Sequence, residues 1–308
     1  MSQSSAEPKA ASEAIVYVDG EFLPRSQAKV SVFDHAYLYG DGVFDSLCAR
    51  SGYVFMLDEH LERLYRSAKV IRLDFHMPKE ELRDIVLETV RRNGLLDAYI
   101  KVIISRGVSA EPLLTPTNCQ LGLVIIARPY ASLIDPVKAK TGISARIVSL
   151  RRIPSECLDP KIKSLNYLNI VLAKIEALES GCDDAIILDT QGFVCEGPGY
   201  NIFAVVNGEL ITPALGILAG ITRRTVMLIA EKLSLGCREG NFTPYDFYTA
   251  QEVFFSSTAG GIIPITRIDN VTIGSGAPGP LTTRIGHAYL DMLETGQYGT
   301  PVYPKGRA

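Results

Sequence analysis

The chain has 308 residues, 47% hydrophobic and 21% charged, which suits a globular protein of one large or two medium domains. Its formal net charge of −3 points to neither nucleic acid nor an anionic membrane as a partner. No apolar run reaches the ~18–20 residues that a membrane span needs. Six cysteines (Cys48, Cys119, Cys157, Cys182, Cys195 and Cys237) and four histidines are scattered, with no C-x-x-C pair. That spread argues against a metal site and for reduced thiols in a cytoplasmic protein.

Met1 to Ser12 are small and polar, without the apolar core of a signal peptide, so residues 1–13 read as a disordered lead-in. Residues 15–18 and 21–23 are expected to pair as a hairpin turning at Asp19-Gly20. The apolar stretch Val43 to Leu47 runs to a turn at Ser51-Gly52. Leu57, Leu61, Leu64 and Ala68 recur at helical spacing, so 58–70 reads as an amphipathic helix. A second helix is expected at 79–93, ended by Gly94. Tyr99–Ser105 and Leu121–Ala127 read as strands, with a loop through Pro112 and Pro116 between them. Residues 130–137 read as a linker between a small N-terminal domain, 14–129, and a larger one, 138–308. In the larger block, strands are expected at 143–150, 184–188, 201–206 and 252–256, and helices at 165–179, 222–234 and 281–294. Mixed strands and helices in two blocks give an α+β class.

The clearest chemical signal is Ile162-Lys163-Ser164-Leu165-Asn166-Tyr167-Leu168-Asn169. It is followed, 33 residues after the lysine, by Glu196-Gly197-Pro198-Gly199-Tyr200-Asn201-Ile202-Phe203. A lysine between apolar neighbours is partly desolvated, which favours the free amine that Schiff-base chemistry needs. Ser164 is placed to cap the helix that follows. Lys161 is the rival, in loop beside Pro160. A glutamate in a glycine-rich turn can approach a flat ligand and keep a pyridine nitrogen protonated. Read singly, these are a surface lysine at a helix start and an exposed turn glutamate.

Three further segments are suited to anions. Gly220-Ile221-Thr222 leads into a helix, whose first N–H groups can hold a phosphate, unless Thr222 is only the cap. Ser256-Ser257-Thr258-Ala259-Gly260-Gly261 follows an apolar strand and is either a polar-ligand cradle or a plain turn. Arg63 lies off the apolar face of its helix, where a solvated arginine is the bland reading. Lysine, glutamate and phosphate-suited turns in one chain suggest a pyridoxal phosphate enzyme.

Tyr39-Gly40-Asp41-Gly42-Val43-Phe44, Leu57-Asp58-Glu59-His60-Leu61-Glu62-Arg63-Leu64, the lysine segment, Gly220-Ile221-Thr222-Arg223 and Tyr248-Thr249-Ala250-Gln251-Glu252-Val253-Phe254 carry a resemblance. From about Val16 to Tyr303 the chain resembles the class IV, fold-type IV pyridoxal-phosphate aminotransferases, the family of branched-chain and D-amino-acid aminotransferases. The resemblance implies a small α/β domain and a larger domain with a barrel-like β core. It implies the cofactor between them and homodimers that complete each pocket with a neighbour's loop. Lys163 would hold the cofactor aldehyde and shuttle a proton, and Glu196 would pair with the pyridine nitrogen. Arg63, Ile221, Thr222 and Thr258 would hold the phosphate, Leu218 would lie against the ring, and Tyr167 would reach its phenolic oxygen. Tyr39, Phe44 and Tyr99 would line the substrate pocket, with Lys101 and Ala259 beside them.

The departures bear on specificity. Branched-chain enzymes of the family carry arginine at the Cys48 position and commonly read Tyr-Ile-Arg where this chain has Tyr99-Ile100-Lys101. The Arg-x-His carboxylate trap of the D-amino-acid enzymes corresponds here to Glu111-Pro112-Leu113. One lost charge-assisted hydrogen bond is worth about 1.5–3 kcal/mol, or roughly 10- to 150-fold in affinity. Lys101 still offers a point charge, though not a bidentate fork. Thr258–Pro264 and Glu196–Asn201 are similar to (R)-selective amine transaminases, whereas Ile162–Asn169 and Thr300–Tyr303 look like the branched-chain group. The expected activity is therefore ping-pong transfer of an amino group from an (R)-primary amine, a branched-chain amino acid, or both, to a 2-oxo acid. The alternative is a plain branched-chain L-amino-acid aminotransferase using 2-oxoglutarate. A D-amino-acid aminotransferase and an aminodeoxychorismate lyase are further rivals.

Overall fold

Asp19 and Gly20 both take positive φ, and they turn β1 (Ile15–Val18) tightly into β2 (Glu21–Pro24). Asp34 caps α1 (His35–Tyr39) by accepting from the Ala36 N–H, and Gly40 ends that helix at φ 69°. After it come β3 (Gly42–Arg50), β4 (Tyr53–Phe55), α2 (Leu57–Val70), α3 (Lys79–Arg92), β5 (Ala98–Val108) and β6 (Gln120–Pro129). These strands make an antiparallel sheet in the order β4-β3-β5-β6-β1-β2. Side chains alternate across a strand, so each face has its own task. Val43, Leu47, Ile100, Val102, Ile104 and Ile125 face inward and pack on α2 and α3 through Leu61, Leu64, Leu82 and Val86. The opposite face carries Phe44, Ser46, Tyr99 and Lys101 to the other half of the molecule. The computed structural model describes residues 13–109, 114–131 and 135–304; the expected lead-in through Ser12, the stretch Glu111-Pro112-Leu113 and part of the expected linker lie outside these.

The second half begins with α4 (Pro136–Thr141), capped by Asp135, then β7 (Ile143–Arg151), α5 (Ser155–Leu158), α6 (Leu168–Glu179), β8 (Asp184–Leu188) and β9 (Val194–Gly197). It continues through β10 (Tyr200–Val206), β11 (Glu209–Pro213), α7 (Ile221–Lys232), β12 (Cys237–Gly240), α8 (Pro244–Tyr248), β13 (Glu252–Ser257) and β14 (Gly261–Ile268). The last elements are β15 (Val271–Thr272), α9 (Pro280–Glu294) and β16 (Gly299–Pro301). Strands β10-β13-β14-β7-β8-β9 close on themselves, because β9 pairs with both β8 and β10. This is the barrel-like core that the resemblance implies, and closure leaves no free edge among its members. The molecule is thus a two-part α+β fold of the expected type. β16 does not stay with the barrel; it returns to pair with β4 in the first sheet. No helix among the described residues is long and apolar enough to cross a membrane.

The segment around the lysine departs from expectation in a way that matters. The helix expected from residue 165 starts at Leu168, and neither Ser164 nor the N-cap residue Tyr167 caps it with a side chain. Residues 163–165 are instead tied to the start of β3. The Phe44 N–H donates to the Lys163 carbonyl (2.9 Å), the Leu165 N–H donates to the Gly42 carbonyl (2.9 Å), and Ser164 bridges Val43. Backbone already bonded to a strand cannot also wind into a helix. Glu196 is likewise in strand β9, not in a turn, because β8 and β10 claim its backbone on either side.

Candidate active site

A cavity of about 350 Å³ opens where the outer face of the first sheet meets the barrel. Lys163 reaches it from the segment tied to β3 and is only 8% exposed. Its backbone N–H donates to Ser67 Oγ on α2 (3.1 Å), so the lysine backbone is held from two sides. Its Nζ donates to Tyr167 Oη at 3.0 Å and lies 4.6 Å from the Phe44 ring centroid. The rival Lys161 is exposed.

Glu196 faces the same space from the barrel and is 4% exposed. Its Oε1 accepts from Arg152 Nε (2.8 Å), and its Oε2 accepts from the Leu218 N–H (2.9 Å) and Asn201 Nδ2 (3.4 Å). Burial pushes this carboxyl upward in pKa, and Arg152, the Leu218 N–H and Lys163 only partly pull it back. Arg152 and Asn201 were given no role from sequence. Arg152 directly follows β7 in no motif, and only the tertiary fold brings it to Glu196 across 44 residues.

At the other end of the cavity, α7 presents its N-terminus. Gly220 is the N-cap with no side-chain cap bond, and Thr222 lies within the first turn, so Thr222 is not the cap. The first N–H groups of a helix have no partners within it. A Cβ on Gly220 would fall 2.0 Å from Asn201 Oδ1, so a side chain there would collide. Arg63 is not solvated: its side chain is 11% exposed and ion-paired with Asp45, and Nη1 donates to the Ala219 carbonyl (3.1 Å). Leu218, Ile221, Thr222, Thr258 and Ala259 all line the cavity with it. So does Ser256, whose hydroxyl is buried without a hydrogen-bond partner among the described residues. Ser256 opens the Ser-Ser-Thr-Ala segment read as a cradle, yet only its unsatisfied burial singles it out.

Phe44, Tyr99 and Lys101 form the wall contributed by the first sheet. Tyr99 Oη and Ser46 Oγ are 2.9 Å apart, and Lys101 Nζ lies 4.5 Å from the Phe44 centroid, the ring that Lys163 also approaches. Burial, then the charges of Lys163 and Arg128, lower the pKa of Lys101. Tyr39 lies on α1, half-exposed and edge-on to His35, and is not among the residues that line this cavity, because Gly40 turns the chain before β3 begins. Cys48 is fully buried in the core beside Phe203 and Tyr289, off the cavity wall, and burial pushes its thiol up to about 12.

These residues fit pyridoxal phosphate. A buried hydroxyl without a partner, an uncapped helix N-terminus and Arg63 converge at one end, as a phosphate dianion requires. Lys163 would meet the aldehyde and Glu196 the ring nitrogen.

Comparison with known proteins agrees. The model of the family "Amino-transferase class IV" matches residues 42–268. A Methanocaldococcus jannaschii protein, provisionally named a branched-chain-amino-acid aminotransferase, is 45% identical over 94% of this chain and 99% of its own length. The Escherichia coli branched-chain-amino-acid aminotransferase is 32% identical over 90% of this chain and 92% of its own. The structure of branched-chain aminotransferase from Thermoproteus uzoniensis with norvaline superposes with a TM-score of 0.88 at 37% identity, covering 94% of this chain and 99% of that one. The branched-chain amino acid aminotransferase from Thermobaculum terrenum, in its pyridoxal-phosphate form, gives 0.87 at 29% identity, covering 96% of this chain and 100% of that one. The chain therefore belongs to the class IV aminotransferases, fold-type IV enzymes that depend on pyridoxal phosphate and move amino groups between amino acids and 2-oxo acids.

Proposed function

We propose that this chain is a branched-chain L-amino-acid aminotransferase that uses 2-oxoglutarate as acceptor and works by ping-pong half-reactions. The observation that carries the reading is Lys101, a cation on the cavity wall with no acidic partner among the described residues. Phe44, Ile153, Leu158, Ile162 and Tyr200 supply an apolar wall suited to an aliphatic side chain, and the spare cation suits a carboxylate. The (R)-amine expectation drew on Cys48, Lys101 and Ala259-Gly260-Gly261. Cys48 lies in the core, so the arginine missing there opens no gap in the wall. Lys101 keeps a positive charge within reach. The relatives, all named for branched-chain substrates, support the same side.

Pyridoxal phosphate, when bound, supplies an aldehyde that carries the amino group and a ring that withdraws electrons. The side chains do the rest in this reading. Lys163 Nζ would hold the aldehyde at rest and would then carry the proton from the substrate Cα to the carbon that bore the aldehyde oxygen, and back again in the second half-reaction. Tyr167 Oη and the Phe44 ring keep Nζ in place. Glu196, with its raised proton affinity, shares a proton with the ring nitrogen, and Arg152 and the Leu218 N–H fix its plane. Arg63, Thr258, Ser256 and the N–H groups of Ile221 and Thr222 hold the phosphate, and Lys101 attracts the substrate carboxylate.

The test mixes cofactor-loaded enzyme with one amino donor at a time and follows cofactor absorbance. L-Leucine should convert the cofactor faster than (R)-1-phenylethylamine; the opposite order rejects the reading.

The two-sheet division also supports 14–129 as the small domain and 138–308 as the larger one, with β16 lent back to the first sheet. A homodimer completes the reading. Val32, Phe33 and Tyr37 around α1, and Leu168, Val171, Leu172, Ile175 and Leu178 along α6, are exposed apolar side chains in two continuous groups. Tyr39, next to the first group, would then serve a neighbour's pocket. Light scattering should give twice the chain mass, and a monomer would remove Tyr39 from any site.

A further inference from the structure

Asp45 is misplaced by the ordinary rules of burial. It lies on the inward face of β3 between Val43 and Leu47, amid apolar core, and is 0% exposed. A carboxylate there is tolerated only when fully paired. The Ser46 N–H donates to its Oδ1 (2.8 Å), and its side-chain partners come from one face of α2, where i and i+3 positions are neighbours. His60 Nδ1 is 2.8 Å from Oδ1, Arg63 Nη2 donates to Oδ1 (2.7 Å) and Arg63 Nε donates to Oδ2 (2.9 Å). Burial alone would raise this carboxyl, but Arg63 and His60 outweigh it and hold it well below the carboxylate range. Burial lowers the pKa of His60 in turn, more than Asp45 lifts it. The bidentate grip engages Nε and one N–H of Nη2. Nη1 takes no part in it and crosses to the Ala219 carbonyl, one residue before the N-cap of α7.

We propose that Asp45, supported by His60, is the positioning group that fixes Arg63 with its Nη1 edge toward the phosphate end of the cavity, and so sets how tightly the cofactor phosphate is held. This rests on the reading of Arg63 as a phosphate ligand. A group that merely locks α2 to the sheet would weaken every cofactor form alike, whereas a group acting through Arg63 affects only forms that carry phosphate.

The experiment strips the cofactor from the purified enzyme and titrates it back as pyridoxal phosphate or as pyridoxal, which lacks phosphate, reading Kd by absorbance and fluorescence. Asp45→Asn should raise the Kd for pyridoxal phosphate about 10- to 100-fold, the size seen when a ligand's supporting partner is lost, and leave the Kd for pyridoxal unchanged. Arg63→Gln should show the same selectivity, and the double variant should be no worse than Arg63→Gln alone. If Asp45→Asn moves both ligands equally, or neither, while Arg63→Gln is selective, the positioning role is overturned. If Arg63→Gln is not selective, the phosphate reading of Arg63 falls and takes this inference with it. Should Asp45→Asn fail to fold, His60→Gln keeps the carboxylate and should give a smaller shift of the same selectivity; an unselective effect there also overturns the proposal.

Discussion

Asp45 in the first sheet and Glu196 in the barrel are both buried carboxylates joined to an arginine, yet their surroundings leave them in opposite conditions. Asp45 receives a two-point grip from Arg63 plus a bond from His60, and it is held down in pKa against its own burial. Glu196 receives a single bond from Arg152, one firm backbone N–H and a long amide contact, and burial prevails, so its pKa is raised. The strength of what opposes burial decides the sign: Arg63 and His60 together outweigh the desolvation of Asp45, whereas Arg152, the Leu218 N–H and Lys163 do not outweigh that of Glu196. A saturated carboxylate is a fixed charge that can orient a neighbour. An unsaturated one keeps affinity for a proton, which suits a group that must face a ring nitrogen.

Loss of Lys163 sets the scale against which both carboxylates are measured. Lys163→Ala should slow the half-reaction by about 10⁴-fold or more, the upper end for one positioned acid–base group, and the resting visible band should vanish. Glu196→Gln comes next. It should keep the bound cofactor but slow the L-leucine half-reaction by about 10²–10³-fold, the range for removing one preorganised electrostatic group. Asp45→Asn should leave that rate nearly intact at saturating cofactor. Equal rate losses for the two variants in stopped-flow traces would erase the distinction between them. Lys101→Met probes the substrate side, away from either pair. Its KM for 2-oxoglutarate should rise roughly 10- to 150-fold, with the rate of the leucine half-reaction less affected.

The signs of the two pKa shifts also separate in stability. Asp45 binds fewer protons folded than unfolded, so its stabilisation is present above the ordinary carboxylate range and is lost as pH falls from that range down through its depressed folded pKa. Glu196 binds more protons folded than unfolded, so its contribution declines as pH rises through and above the same range. Melting of cofactor-free protein should therefore show wild type gaining most over Glu196→Gln at low pH, with the gap narrowing as pH rises; a gap that widens would mean the shift has the other sign. The smallest effect concerns the lysine backbone. Ser67→Ala leaves the buried Lys163 N–H without its acceptor and should cost about 1–3 kcal/mol in denaturant unfolding.

Local patterns were enough for the hairpin at Asp19-Gly20, for α2 and α3, and for the cavity positions of Lys163, Glu196, Thr222 and Thr258, because period, turn residues and short motifs are local properties. Chain order alone could not reveal that Arg152 meets Glu196, that Asp45 and His60 grip Arg63, or that Ser67 holds the Lys163 backbone. Nor could it show that Cys48 points into core while Lys101, three positions past the strand's start, points into the cavity. Those facts depend on strand register and on closure of the barrel, which bring together side chains tens of residues apart. The amino-acid sequence by itself determined which chemical groups are available and which short elements carry them. Tertiary structure decided their protonation and their aim, since burial and long-range hydrogen bonds exist only once the two sheets have met.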